Sequence, residues 1–292
     1  MNRLRVSGSA FGVGFAVQVD APELLGEVRA RMPPGWRPGR GGRPRRLYAV
    51  MHAPDGVRVD AGGETLGRGL SHAGAMDVLE SDLQLFVAQH ARAFVFVHAG
   101  VVGVEGRAVV LPGTSGAGKT TLVSALLRAG ATYYSDEYAL LDARGRVHPY
   151  ARALSVRGPG GSAKVRVPVD RTRGRTGRGP IPLGFVVVTE YCKGGRWRPA
   201  RMTRGEVALA LLSHTVPARE RPREVMAALA RAAGGATVGF RSVRGAAGGV
   251  ARALLTLAAR GRSGARLPLH GHPARVRPAA PAPGRRGPRS RR

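Results

Sequence analysis

Gly113-Thr114-Ser115-Gly116-Ala117-Gly118-Lys119-Thr120 reads GxxxxGK[ST]. It stands between an apolar run, Ala108-Val109-Val110-Leu111, and a helical pattern in which Leu122, Ala125, Leu126 and Ala129 share one face before Gly130. Glycines let the chain turn tightly enough for successive N–H groups to point inward, and the helix that begins near Lys119 adds its positive end to the same spot. That combination is a polyphosphate cradle. Lys119 is the residue that reaches the outer phosphates, and the Thr120 hydroxyl is the natural ligand of an accompanying Mg²⁺. The nucleotide-contacting set is expected to be Gly113, Thr114, Ser115, Gly116, Ala117, Gly118, Lys119, Thr120 and Thr121. The alternative, a glycine-rich turn matching by accident, would not also need a strand before it and a helix after it.

Outward from this motif, Asp136 and Glu137 follow 17 and 18 residues after Lys119, at the end of a short strand (Ala131 to Tyr134) that succeeds the helix. The chain path can return them to the phosphates, where one carboxylate takes a proton from an acceptor hydroxyl and the other holds Mg²⁺. Upstream, Phe94-Val95-Phe96-Val97 and 108–111 read as buried strands around a turn at Glu105-Gly106-Arg107. His98 ends the first of these.

Together these pieces resemble the bacterial HPr kinase/phosphorylases and their stand-alone relatives, whose catalytic domain shares its core with phosphoenolpyruvate carboxykinase. Val97-His98-Ala99-Gly100-Val101-Val102 is similar to that family's His-Gly strand, Gly113 to Thr120 to its P-loop, and Ser135-Asp136-Glu137 to its Ala-Asp-Asp pair. The resemblance implies an ATP-dependent serine kinase with ATP and Mg²⁺ as cofactors. By it His98 lies near the transferred phosphate, Asp136 is the base for a serine hydroxyl, and Lys119 and Thr120 hold ATP–Mg²⁺. With Asp136 as the base, Glu137 is the catalytic acid left to hold the metal beside Thr120. The chain departs from the family in carrying Glu137 for Asp, Thr120 for Ser, and Ser155-Val156-Arg157-Gly158 where the family has a Glu-Ile/Val-Arg-Gly signature. Relatives of this stand-alone kind also phosphorylate a precursor serine of ribosomally made peptides such as lasso peptides.

The expected architecture is α/β: an N-terminal α+β extension over 1–93, a P-loop catalytic domain over 94–259 of the HPr kinase/PEP carboxykinase type, and a disordered Arg/Pro-rich tail over 260–292. A hairpin is predicted from Leu47–Met51 and Gly56–Val59 around Pro54-Asp55-Gly56, and a helix after Ser71 from the spacing of Met76, Leu79, Leu83, Phe86 and His90. The stretch 157–180, with seven basic residues and little apolar content, reads as a mobile loop or an arginine-bearing lid. Phe185–Thr189 and Thr237–Arg241 are strands, and 205–213, 222–233 and 249–259 helices.

The formal charge of +29 over 292 residues suggests a nucleic-acid partner until it is located: the net charge is +3 over 1–93, +1 over 94–150, +7 over 151–180, +8 over 181–259 and +10 over 260–292. The neutral middle holds the phosphate motif. Arg supplies 44 of the 47 basic residues alongside abundant Ala, Gly and Pro, a skew that GC-rich codons explain. A nucleic-acid-associated P-loop ATPase using the basic loop and tail is therefore the alternative, and a protein or peptide bearing a hydroxyl acceptor the expected partner, with a homo-oligomer possible. The single Cys192 excludes a disulfide framework and paired-cysteine zinc sites, and no apolar run is long enough for a bilayer. Both point to the cytoplasm. His90, Cys192, Trp36 and Trp197 have no partner pattern and are read as packing.

Overall fold

The computed structural model describes residues 4–39, 43–114, 116–157, 164–169 and 175–260. It is a mixed α/β chain with two mixed sheets. The first is formed by β1 (Leu4–Ala10), β2 (Val13–Val19), β3 (Arg37–Pro38), β4 (Arg46–Ala53), β5 (Gly56–Ala61) and β6 (Glu64–Leu70), in the order β3-β1-β2-β4-β5-β6. Every pairing is antiparallel except β2 with β4, whose crossover is helix α1 (Pro22–Ala30). Pro22 opens α1, where its missing N–H costs no hydrogen bond. The expected hairpin is β4–β5, with Ala53 opposite Gly56. The expected helix is α2 (His72–His90), capped by the Ser71 hydroxyl accepting from the Gly74 N–H at 3.1 Å. Leu24, Val28, Met76, Leu79 and Leu83 pack with Phe15, Tyr48 and Val59 in one core, which also takes in Phe96, Tyr138, Leu140 and Tyr150 from the second half of the chain.

The second sheet contains β7 (Val95–Val104), β8 (Arg107–Pro112), β9 (Thr132–Ser135), β10 (Tyr138–Leu141) and β11 (Arg146–His148), then, beyond the pair β12 (Leu154–Arg157) and β13 (Lys164–Val167), β14 (Ile181–Tyr191), β15 (Ala200–Met202) and β16 (Val238–Arg244). Its order is β11-β10-β7-β8-β14-β16-β15 with β9 also on β7, and β8, β14 and β16 run parallel. Helices α3 (Lys119–Arg128) and, at the end of the described chain, α6 (Ala247–Arg260) cover one face through Leu122, Leu126, Val250 and Leu254. Helices α4 (Arg204–Leu212) and α5 (Pro222–Ala233) cover the other through Val207, Leu211, Val225 and Leu229. Strands buried on both faces explain why β7, β8 and β14 read as continuous apolar runs rather than alternations.

Part of the stretch 157–180 is regular structure: β12 and β13 pair antiparallel, Leu154 with Val167. The hairpin is tied to the rest by charge. Buried Glu80 on α2 receives Arg31, Arg152 and Arg166, three guanidiniums on one carboxylate that sequence periodicity does not reveal. Residues 158–163 and 170–174 lie outside the described residues, as does the basic tail after Arg260. Among the described residues no helix is long and apolar enough to cross a membrane.

Candidate functional site

The phosphate motif leaves the C-terminal end of β8, the edge at which parallel α/β sheets bind ligands. Gly116 (φ +90°) and Gly118 (φ +78°) adopt left-handed backbone that a side chain would strain, and Gly118 is the N-cap from which α3 starts at Lys119. A Cβ on Gly118 would also lie 2.3 Å from a guanidinium nitrogen of Arg244. The Lys119 ammonium donates to the carbonyls of Gly113 (2.7 Å) and Thr114 (2.8 Å), which uses two of its three donors and ties the loop to the helix. Thr120 lies in the first turn of α3, and Thr121 beside it is exposed. Ser115 lies outside the described residues.

On the other side of β8, β7 supplies His98, and its backbone locks onto the motif: the His98 carbonyl accepts from the Gly113 N–H at 3.4 Å. The chain from Ser135 to Leu141 runs antiparallel to β7, with Val101 opposite Ser135 and His98 opposite Tyr138, so Asp136 and Glu137 fall opposite Gly100 and Ala99. The Ala99 N–H donates to the Glu137 carbonyl at 3.0 Å. Ser135 fixes the turn of this segment, its hydroxyl accepting from the N–H groups of Glu137 (3.1 Å) and Tyr138 (2.9 Å). The register shifts at Tyr134, one extra residue between Tyr133 and Ser135. Residues three apart on a regular strand face opposite sides, and this bulge instead puts Tyr133 and Asp136 on the same side. The buried Tyr133 hydroxyl donates to Asp136 Oδ1 at 2.9 Å.

Electrostatics tie the pieces together. Burial pushes the Lys119 ammonium below its ordinary value, while Glu137 and Asp136 pull it back up. Burial, then Lys119, then His214 hold His98 down to about 4, so its ring is neutral near pH 7. The 3.6 Å approach of His98 Nδ1 to Glu137 Oε1 is therefore a contact between a neutral imidazole and a carboxylate rather than an ion pair. Burial and the carboxylate of Asp136 push the Tyr133 phenol far up, which keeps it a proton donor. Lys119, His98, Asp136 and Glu137 thus form one interacting group beside the phosphate motif.

Three residues of this neighbourhood carry no sequence signal. His214 follows α4, its carbonyl accepts from the His98 N–H at 2.7 Å, and its ring is itself depressed by burial and then by Lys119. Tyr133 is masked by the bulge. Arg244 is one arginine among 44, yet it is 2% exposed at the end of β16 and donates to the Gly118 carbonyl at 2.9 Å. The segment Ser155–Arg157 lies in β12, and Gly158 and the rest of the expected lid up to residue 163 lie outside the described residues.

The residues fit a nucleotide with Mg²⁺ on two observations: a left-handed glycine turn at a helix N-terminus, and two carboxylates within the field of its lysine. Among the described residues no group of three or more His, Cys, Asp or Glu forms a metal cage. Mg²⁺ is commonly held by one or two carboxylates together with substrate phosphates and water, and Thr120 and Glu137 are the residues that would hold it.

No protein-family model matches the chain, and no curated protein matches it. Among solved structures it is similar to one described as the Hpr(Ser) kinase/phosphatase from Coxiella burnetii, at 13% identity and a TM-score of 0.31, over 58% of this chain and 97% of that one.

Proposed function

We propose that the chain is an ATP-dependent phosphotransferase of the HPr kinase type that passes the γ-phosphoryl group to a serine or other hydroxyl of a protein or peptide in the cytosol. The observation that carries this reading is the placement of Asp136 and Glu137 opposite Gly100 and Ala99, inside the field of Lys119, beside a neutral His98. An acid next to the acceptor oxygen is what transfer to a hydroxyl requires.

In this reading Lys119 and the N–H groups of the glycine turn hold the phosphates. Thr120 and Glu137 would hold Mg²⁺, whose contribution is to neutralise charge on the phosphate oxygens. Asp136, oriented by Tyr133, takes the proton of the acceptor hydroxyl as that oxygen bonds to the γ-phosphorus. The bond to the β–γ bridging oxygen breaks, and ADP leaves with its electron pair. His98, neutral and within reach of the same space, offers a hydrogen bond to the moving group.

The test is phosphate transfer from labelled ATP to the peptide products of neighbouring genes, with two variants. Asp136→Asn is expected to keep ATP binding and lose transfer by about 100-fold or more, the usual worth of a general base. Lys119→Ala is expected to weaken both. Transfer undiminished in Asp136→Asn would refute the assigned base.

A further inference from the structure

The order of strands gives a nucleotide held by the 113–120 turn two distinct sides. His98, Asp136 and Glu137 all lie on the β7 side of β8, so the γ-phosphoryl end of a triphosphate in the 113–120 turn points that way. Its nucleoside end must then leave on the opposite side, over the C-terminal ends of β14 and β16. Tyr191 and Arg244 are paired across those two ends. Alternation puts them on the face of the sheet that carries Phe185, Val187 and Phe240, the face α3 covers.

At this place Tyr191 is 58% exposed, while Val187, four residues earlier on the same face of the strand, is fully buried. The Arg244 guanidinium lies over the Tyr191 ring, 5.6 Å from its centroid, and the same guanidinium holds the Gly118 carbonyl. One guanidinium therefore bridges an exposed aromatic ring and the N-cap of α3. Among the described residues the buried Arg244 Nε has no hydrogen-bond partner and the guanidinium no carboxylate, and the group is held by the carbonyls of Gly118 and Gly245 and by the ring.

We propose that Tyr191, backed by Arg244, is the platform on which the purine base of the nucleotide stacks, and so a residue that makes the site select a nucleoside triphosphate over a bare polyphosphate. The proposal rests on the nucleotide reading of the 113–120 turn. An aromatic face accepts any base, and a purine offers the larger area.

The experiment is calorimetric titration of the full chain with ATP and with inorganic tripolyphosphate, both with Mg²⁺, for the parent, Tyr191→Ala and Tyr191→Phe. Loss of base stacking is expected to weaken ATP about tenfold in Tyr191→Ala, leave tripolyphosphate unchanged, and be restored in Tyr191→Phe. Thermal melts of the exposed-site variants report whether the fold is retained. ATP affinity unchanged in Tyr191→Ala, or an equal loss for tripolyphosphate, would overturn the platform while leaving the phosphate cradle standing. A parent that binds neither ligand would overturn the nucleotide reading and the platform with it.

Discussion

Acidification should destabilise this protein measurably through His98. His98 is held down to about 4 by burial, Lys119 and His214, against an ordinary value of 6.5, and its side chain is 25% exposed. A histidine depressed in this way contributes nothing to the pH dependence where folded and unfolded chains are both neutral. As the pH falls below 6.5, the unfolded chain takes up a proton that the folded site refuses, so stability drops until the folded ring titrates near 4. The loss attributable to His98 is about 2 kcal/mol at about pH 5 and about 3 kcal/mol near pH 4. Urea unfolding followed by the fluorescence of Trp36 and Trp197, near pH 7.5 and near pH 5, measures it against His98→Gln. The parent is expected to lose about 2 kcal/mol more than the variant between those conditions, whatever the variant costs at neutral pH. Equal pH slopes in the two proteins would refute the claim that His98 is buried beside a charged Lys119, and with it the neutral imidazole on which its place in the site depends.

Tyr133→Phe removes the hydrogen bond that favours the charged form of Asp136, so the acidic limb of the pH–rate profile for transfer should move to higher pH while the KM for ATP stays put. A rate loss without that displacement would mean Tyr133 acts only through packing. Gly100→Ala would bring a Cβ to 2.7 Å from Val123 Cγ2 of α3, so the helix that carries the phosphate turn must shift; about 1–3 kcal/mol of stability should be lost in denaturant titrations, with weakened ATP binding. Full stability in that variant would show that α3 has room to move off β7.

The parts of the fold legible in the sequence are those set by near neighbours along the chain. The hairpin β4–β5 follows from Pro54-Asp55-Gly56, α2 from its three- and four-residue apolar spacing, and the strand–turn–helix of the phosphate motif from its glycines. Elements with weak local signals were extended or hidden. β7 and β14 run well past the apolar runs that announce them, because backbone pairing with their neighbours continues, through Val104 with β8 and through Tyr191 with β16. α1 has no counterpart among the elements expected from the sequence, since nine residues with Gly26 inside carry little periodicity of their own. The hairpin of β12 and β13 looks like a loop in sequence because Arg152 and Arg166 anchor it by meeting Glu80 on a helix some 70 or more residues earlier.

The same division runs through the site. By itself the sequence determined the chemistry on offer: a glycine turn, Lys119 and Thr120 in fixed order, an acidic pair at a short distance downstream and a histidine upstream, all properties of residue type and local spacing. Only the tertiary structure decided which of these share an electric field, because that depends on strand order and register. The bulge at Tyr134 aims Asp136 to the side of Tyr133, and the pairing of β7 sets His98 beside Glu137. The parallel run of β16 delivers Arg244 from 126 residues away to the first carbonyl of the phosphate helix. Charges interact over a few ångströms of space, and the sequence measures distance along the chain alone.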